Sequence, residues 1–282
     1  MLIVDAQIHI WAADTPQRPW VPGLKAQQPH PVTRDMVLAE MAKAGVDRVV
    51  LVPPSWEGDR NDLALAAAAA HPDRFAVMGR IAPDREESRG LVAGWRAQPG
   101  MLGMRLTFHN EPQRSWLTDG TADWLWAAAE AAGIPIMVYS PGRAALFAAV
   151  AERHPGLRLI IDHAGLDVHT RGAAAFEPLS ATCDLARFPN VAVKASGLAC
   201  HSTEGYPFRD VHAPIRQLVD AFGPQRAFWG TDLTRMQCSY RECVTLFTEE
   251  LPWLGGEDLA QVMGLAICGW LDWPATTGPA VR

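Results

Sequence analysis

Leu63-Ala64-Leu65-Ala66-Ala67-Ala68-Ala69-Ala70-His71-Pro72-Asp73-Arg74-Phe75-Ala76-Val77-Met78-Gly79-Arg80-Ile81 reads as one helix followed by one strand. Asn61 and Asp62 precede an alanine run that favours a helix, and His71-Pro72 stops it. Phe75 to Ile81 is then a short apolar run suited to a buried strand. The unit recurs in both directions. Upstream, Val4 to Trp11 and Arg48 to Pro53 read as strands one and two, and the helix between them is capped by Thr33 or Asp35 and runs to Ala44, where Gly45 stops it. Downstream, strands four to eight are Met101 to Phe108, Ile134 to Tyr139, Leu157 to Asp162, Val191 to Ala195 and Arg226 to Gly230. Helices fall at Asp84 to Ala97, Thr121 to Ala132, Gly142 to Arg153, Ala173 to Arg187 with a break at Pro178, and Val211 to Phe222. Tyr240 to Glu250 and Asp258 to Trp270 are also helical, and the tail from Pro274 reads as frayed.

Short apolar strands alternating with helices predict an α/β protein whose parallel sheet is covered by helices. Eight strands is also the number that closes a (β/α)8 TIM barrel. No linker divides the chain, so residues 1-282 read as a single barrel domain. A doubly wound open sheet is the alternative. Against it, no GxGxxG follows any strand, and polar residues sit at strand ends along the whole chain.

Composition narrows the function classes. Hydrophobic residues make up 49% and charged residues 20%, enough for a large core. With a net charge of −6 and no Lys/Arg block, no nucleic-acid partner is expected. The start, Met1-Leu2-Ile3-Val4-Asp5, lacks the order of a secretory signal, and no run of about 18 apolar residues suggests a membrane span. Cys183, Cys200, Cys238, Cys243 and Cys268 are odd in number and lack CxxC spacing. Reduced thiols in a cytoplasm are the expectation. The partner expected is a small molecule, and any surface tryptophans among the eleven would point to a homodimer.

In such a barrel, chemistry collects where strands end. On strand one, Gln7 and His9 stand at alternate positions and project together. Ser55 and Trp56 follow strand two, Arg80 ends strand three, and Arg105, Thr107 and His109 come from strand four, His109 reading as a loop residue. Strand five offers Tyr139 and Ser140, strand six His163, strand seven Lys194 and Ser196, and strand eight Asp232. His9, His163 and Asp232 can hold a divalent cation, or orient and deprotonate a water and polarise a carbonyl. Desolvation in a barrel mouth would raise the basicity of Asp232, which can equally cap the helix that follows. Arg105 can pair with a substrate carboxylate, assisted by Tyr139 or Lys194, or serve a salt bridge inside the barrel. The Pro-rich segment Trp11 to Pro31, with Trp20, is long enough to be a lid.

Asp5-Ala6-Gln7-Ile8-His9-Ile10-Trp11, His71-Pro72-Asp73-Arg74-Phe75, Asp162-His163-Ala164-Gly165, Ser196-Gly197 and Gly230-Thr231-Asp232 resemble the amidohydrolase superfamily, in its amidohydrolase family 2 branch of small lactonases and decarboxylases. The resemblance spans essentially the whole chain. It implies a (β/α)8 barrel in which the strand-eight aspartate, here Asp232, activates water, and His163 matches a histidine that contacts substrate. Metal-dependent members carry His-x-His on strand one and a histidine on strand five, where this chain has Gln7 and Tyr139. No cofactor is therefore expected to be required, and any divalent cation such as Zn2+ at His9, His163 and Asp232 would be weakly held. Similarity to pyrone-dicarboxylate lactonases implies a hydrolase that opens a small, carboxylated lactone or related ester. Asp232, His163 and His9 would be its catalytic groups, with Arg105, Tyr139, Lys194, Trp56 and Gln7 around the substrate. The alternatives are non-oxidative decarboxylation of an aromatic or enoic acid, and a catalytically silent ligand-binding barrel.

Overall fold

The protein is described here by a computed structural model covering residues 1–274. The strands are β1 (Val4–Ile8), β2 (Arg48–Leu51), β3 (Phe75–Arg80), β4 (Met101–Thr107), β5 (Ile136–Tyr139), β6 (Leu159–Ile161), β7 (Val191–Ser196) and β8 (Ala227–Gly230). Each pairs in parallel with the next, in sequence order. With helices between the strands, this is a nearly closed (β/α)8 barrel, as expected, and not an open doubly wound sheet.

Closure between β8 and β1 depends on side chains as well as backbone. The Asp232 N–H donates to the Gln7 carbonyl at 2.9 Å. The buried Asp5 carboxylate accepts from the Thr231 N–H and hydroxyl and, at 2.8 Å, from the Tyr240 hydroxyl. Gly230 permits this approach, because a Cβ there would stand 3.1 Å from Ser196 Cβ and 3.2 Å from the Ala6 nitrogen.

One apolar layer lies between strands and helices; the other fills the lower half of the barrel. Val4, Val50, Met78, Met137, Ile160 and Phe228 meet inside, and Ile267 of the helix Ala266–Trp270 and Leu271, which follows it, close that end. A register shift in β1 between Asp5 and Ile8 lets Gln7 and His9 turn inward above Ala6. Thr33 caps the first helix, Arg34–Ala44, and Gly45 ends it at φ 77°.

Some elements are shorter than the pattern suggests. The segment expected as one helix from Asp84 is an α-turn at Glu87–Leu91 continued as 3-10 helix through Ala97. The Ala173 to Arg187 segment breaks at Pro178, as expected, with its α-helix at Leu179–Cys183. β6 stops at Ile161, because Asp162 begins a tight turn. The expected fraying of the tail falls on residues from 275 onward, outside the described residues. All five cysteines are free thiols. Of the eleven tryptophans six are buried, while Trp20, Trp116, Trp124, Trp253 and Trp270 are half-buried and reach the surface in part. Among the described residues no helix is long and apolar enough to cross a membrane.

Candidate active site

At the carboxyl ends of the strands the interior changes from apolar to charged. Asp162, on the turn after β6, is fully buried between Lys194 of β7, with Nζ 2.7 Å from Oδ1, and Arg105 of β4, with Nε 3.1 Å from Oδ2. Burial pushes the Asp162 carboxyl up, but Lys194 and Arg105 outweigh it and hold the group below the usual carboxylate range. Lys194 also donates to Gln7 Oε1 and, at 3.3 Å, to the Ala6 carbonyl. Gln7 and Lys194, expected beside the substrate, are fully buried beneath the mouth. The structure engages them with protein groups, because a buried ammonium needs a counter-charge and filled hydrogen bonds. Arg105 takes the salt-bridge alternative at Nε while still facing the cavity.

Lys194 fixes the Gln7 amide, since an ammonium only donates and must meet the carbonyl oxygen. The Gln7 Nε2 then faces His9 Nε2 at 3.3 Å. The other ring nitrogen of His9 donates to the Val52 carbonyl, which only accepts. His9 is therefore the Nδ1–H tautomer, with the Nε2 lone pair turned to Gln7 and, at 3.3 Å, to Asp232 Oδ1. Burial drives His9 and His163 down to about 4, against the pull of Asp232. Both rings are neutral at pH 7.

Asp232 is 1% exposed. Its Oδ2 meets Arg235 Nε at 3.0 Å and lies 3.9 Å from His163 Nε2, and the Gln27 amide donates to both oxygens at 3.1 and 3.2 Å. Burial raises the Asp232 pKa, yet its neighbours hold it below the ordinary carboxylate range. This corrects the expectation of a basicity raised by desolvation. The lowering comes first from charge on His9 and His163, then from Arg235 and the Gln27 hydrogen bond; of these, Arg235 and Gln27 still act when both imidazoles are neutral. The capping alternative is absent: Asp232 precedes the turn Leu233–Arg235 without a side-chain cap bond.

Three non-glycine residues here have left-handed backbone: His163 at φ 51°, Ala164 at 54° and Asp232 at 55°. Each such conformation costs about 1–3 kcal/mol and persists where surrounding structure enforces it. Gly165 shares this geometry, and a Cβ on it would lie 2.6 Å from Thr182 Oγ1. His163 Nδ1 contacts Ser196 Oγ at 2.9 Å, and Tyr139 packs edge-on against its ring. Burial pushes the Tyr139 phenol up to about 12, so it remains a donor. Trp56 walls His9 from the other side.

His9, Trp56, Arg105, Tyr139, His163 and Asp232 thus surround one pocket of about 50 Å³. Its walls also include Gln27, His109, Val168 and Arg235, which sequence reasoning did not assign to the site. Gln27 lies in the suspected lid, but no pattern marks which lid residue reaches in. His109 was read as a loop residue. A second cavity of about 700 Å³ adjoins the first, sharing Ser55 and His109.

A resident metal does not fit this donor set. Asp232 meets His9 at 3.3 Å and His163 at 3.9 Å, but among the described residues no group of three or more His, Cys, Asp or Glu could hold a metal ion. Gln7 stands at the His9 lone pair and contributes an amide, and β5 ends in a protonated phenol where a further imidazole would be needed. Of the three groups expected to hold a cation only weakly, Asp232 thus meets His9 and His163 without a fourth strong donor beside them.

The sequence matches the amidohydrolase family over residues 4–278. It is 28% identical over 239 residues to an L-fucono-1,5-lactonase of Burkholderia ambifaria, covering 81% of this chain and 79% of that one. It is 26% identical over 230 residues to a 4-sulfomuconolactone hydrolase of Hydrogenophaga intermedia, covering 81% and 73%. A crystal structure of an amidohydrolase from Burkholderia multivorans with bound zinc superposes with TM-score 0.80 at 22% identity, over 97% of this chain and 100% of that one. At that identity the likeness speaks for the fold alone.

Proposed function

The chain belongs to the amidohydrolase family, and from that premise we propose that it opens a small, carboxylated lactone by attack of a water held at Asp232. The carrying observation is the contact between His9 Nε2 and Asp232 Oδ1 at 3.3 Å: the one His9 lone pair is shared between the Gln7 amide and this carboxylate oxygen, and a proton arriving at the pair can bridge the two acceptors. The lactone substrates named for the fuconolactonase and sulfomuconolactone hydrolase support the reaction class.

The pocket of about 50 Å³ holds water but is small beside the adjoining cavity of about 700 Å³. The body of the substrate therefore extends into the adjoining cavity. Displacing Gln27 from Asp232 removes a hydrogen bond from each carboxylate oxygen, with Arg235 still on Oδ2, and so returns part of the basicity of the group. The water gives its proton to the Asp232–His9 pair and its oxygen to the lactone carbonyl. His9 cannot stabilise the oxyanion as first expected, because its neutral Nε2 carries a lone pair. Donation falls to Tyr139, His163 as its Nε2–H tautomer, and the Arg105 guanidinium. When the tetrahedral intermediate collapses, the ring C–O bond breaks and the proton passes to the leaving alkoxide.

Hydrolysis of a panel of sugar lactones, muconolactones and pyrone carboxylates tests this reading. Wild-type enzyme should open at least one, and Asp232→Asn should lower turnover by about 10²–10⁴-fold without loss of fold. Undiminished turnover by Asp232→Asn would remove Asp232 as base. Silence across the panel from folded wild-type protein would remove the lactonase reading.

A further inference from the structure

Arg80 and Arg105 are register partners on β3 and β4, but they are engaged differently. Arg105 is committed at Nε to Asp162. Arg80 is 8% exposed, and of its guanidinium nitrogens only Nη2 has a partner, Thr107 Oγ1 at 3.2 Å. Nε and Nη1 are buried without a hydrogen bond. Asp59 lies 3.9 Å from Nε, beyond hydrogen-bond reach, and is shared with Arg85 at 4.0 Å.

The backbone beneath Arg80 is held firmly. Asn61, expected to help begin the helix Asp62–Ala70, makes no cap bond there. Its side chain instead accepts from the Arg80 N–H at 2.7 Å and donates to the Arg80 carbonyl at 2.9 Å. Burial brings the guanidinium down to about 10, so it is still charged at neutral pH. Arg80, Arg85 and Thr107 line the cavity of about 700 Å³, which reaches the pocket of Asp232 through Ser55 and His109. A buried cation with two open donors is costly to the folded chain and well placed to grip an oxyanion.

We infer that Arg80, assisted by Arg85, receives a carboxylate or sulfonate of the substrate remote from the attacked carbonyl, and so selects anionic over neutral lactones. The lactone part rests on the hydrolase reading above; the oxyanion part stands on the cavity. Arg105 binds nearer the reacting carbonyl, whereas Arg80 reads the far end.

The test compares wild type, Arg80→Met and Arg80→Lys on muconolactone, which carries a carboxylate, and D-glucono-1,5-lactone, which is neutral. Binding of tricarballylate is measured by calorimetry in parallel. Arg80→Met should raise KM for muconolactone about 10–100-fold with little change in kcat, weaken tricarballylate by a similar factor, and leave the neutral lactone alone. Arg80→Lys keeps the charge without the fork and should recover part of the loss. If Arg80→Met does not fold, wild type against Arg80→Lys gives the same comparison with a smaller gap. A wild type that opens no lactone but binds tricarballylate through Arg80 keeps the oxyanion site and discards the hydrolase reading. A wild type that opens lactones while neither variant changes KM or tricarballylate affinity, or while both substrates suffer alike, overturns the oxyanion site.

Discussion

The two halves of the barrel interior share one cylinder but solve opposite problems. Below, Met78, Met137, Ile160 and Phe228 meet Ile267 and Leu271, all within 1% of full burial and all apolar. Above, Asp162, Lys194, Arg105, His9, His163 and Asp232 are buried almost as deeply and carry charge or titrate. Moving side chains from water to an apolar interior stabilises the lower half, at about 25 cal/mol per Å². Charges gain little net stability from the same burial, because desolvation offsets their attraction. What the upper half gains is position: fixed tautomers, shifted pKa values and an aspartate in left-handed backbone.

The contrast can be broken by mutation. The largest effect is expected from Asp162→Ala, which leaves Lys194 and the Arg105 guanidinium without their carboxylate and should cost about 3–5 kcal/mol in urea unfolding. Adding Lys194→Met should return part of that stability without restoring activity, since Gln7 then loses the donor that orients it toward His9. Ile267→Ala, in the lower plug, should cost about 2–5 kcal/mol but leave kcat/KM of the folded enzyme unchanged. A drop in kcat/KM there would show that the two halves are coupled.

Acidification sharpens the contrast next. His9 and His163 bind protons near 4 when folded and near the ordinary imidazole value of 6.5 when unfolded. Their contribution to stability is therefore intact above about 6.5 and lost as pH falls toward 4. Activity should be level from about pH 6 to 8 and fall below about pH 5, as the protonated His9 closes on Asp232. An acid limb centred on 6.5 in the kcat/KM profile would contradict this. The smallest effect is expected from Gln27→Ala. Losing bonds to the ionised carboxylate raises the Asp232 pKa, so the acid limb should move toward neutrality with stability changed by only about 1 kcal/mol.

The strands and much of the site were readable in advance because both follow short periods. Alternation along β1 places Gln7 and His9 together, and strand ends mark His163 and Asp232. Gln27 escaped because its partner, Asp232, is 205 residues away and nothing local records the contact. The fate of Arg105 and Lys194 was open for a related reason: each suits a substrate or a neighbour equally well, and Asp162 was quoted only as part of a motif. The sign of the Asp232 shift depended on these neighbours, so burial alone misled.

Local pattern by itself determined an eight-stranded parallel barrel and which residues would stand at its rim, because helix and strand periods are properties of consecutive side chains. The packed molecule decided which of those polar groups remain available. Lys194, Gln7 and Asp162 satisfy one another in the dry interior, while His9 keeps a lone pair toward Asp232 and Arg80 keeps two open donors. A buried charge must find its partner in space, and that search runs across the barrel rather than along the chain.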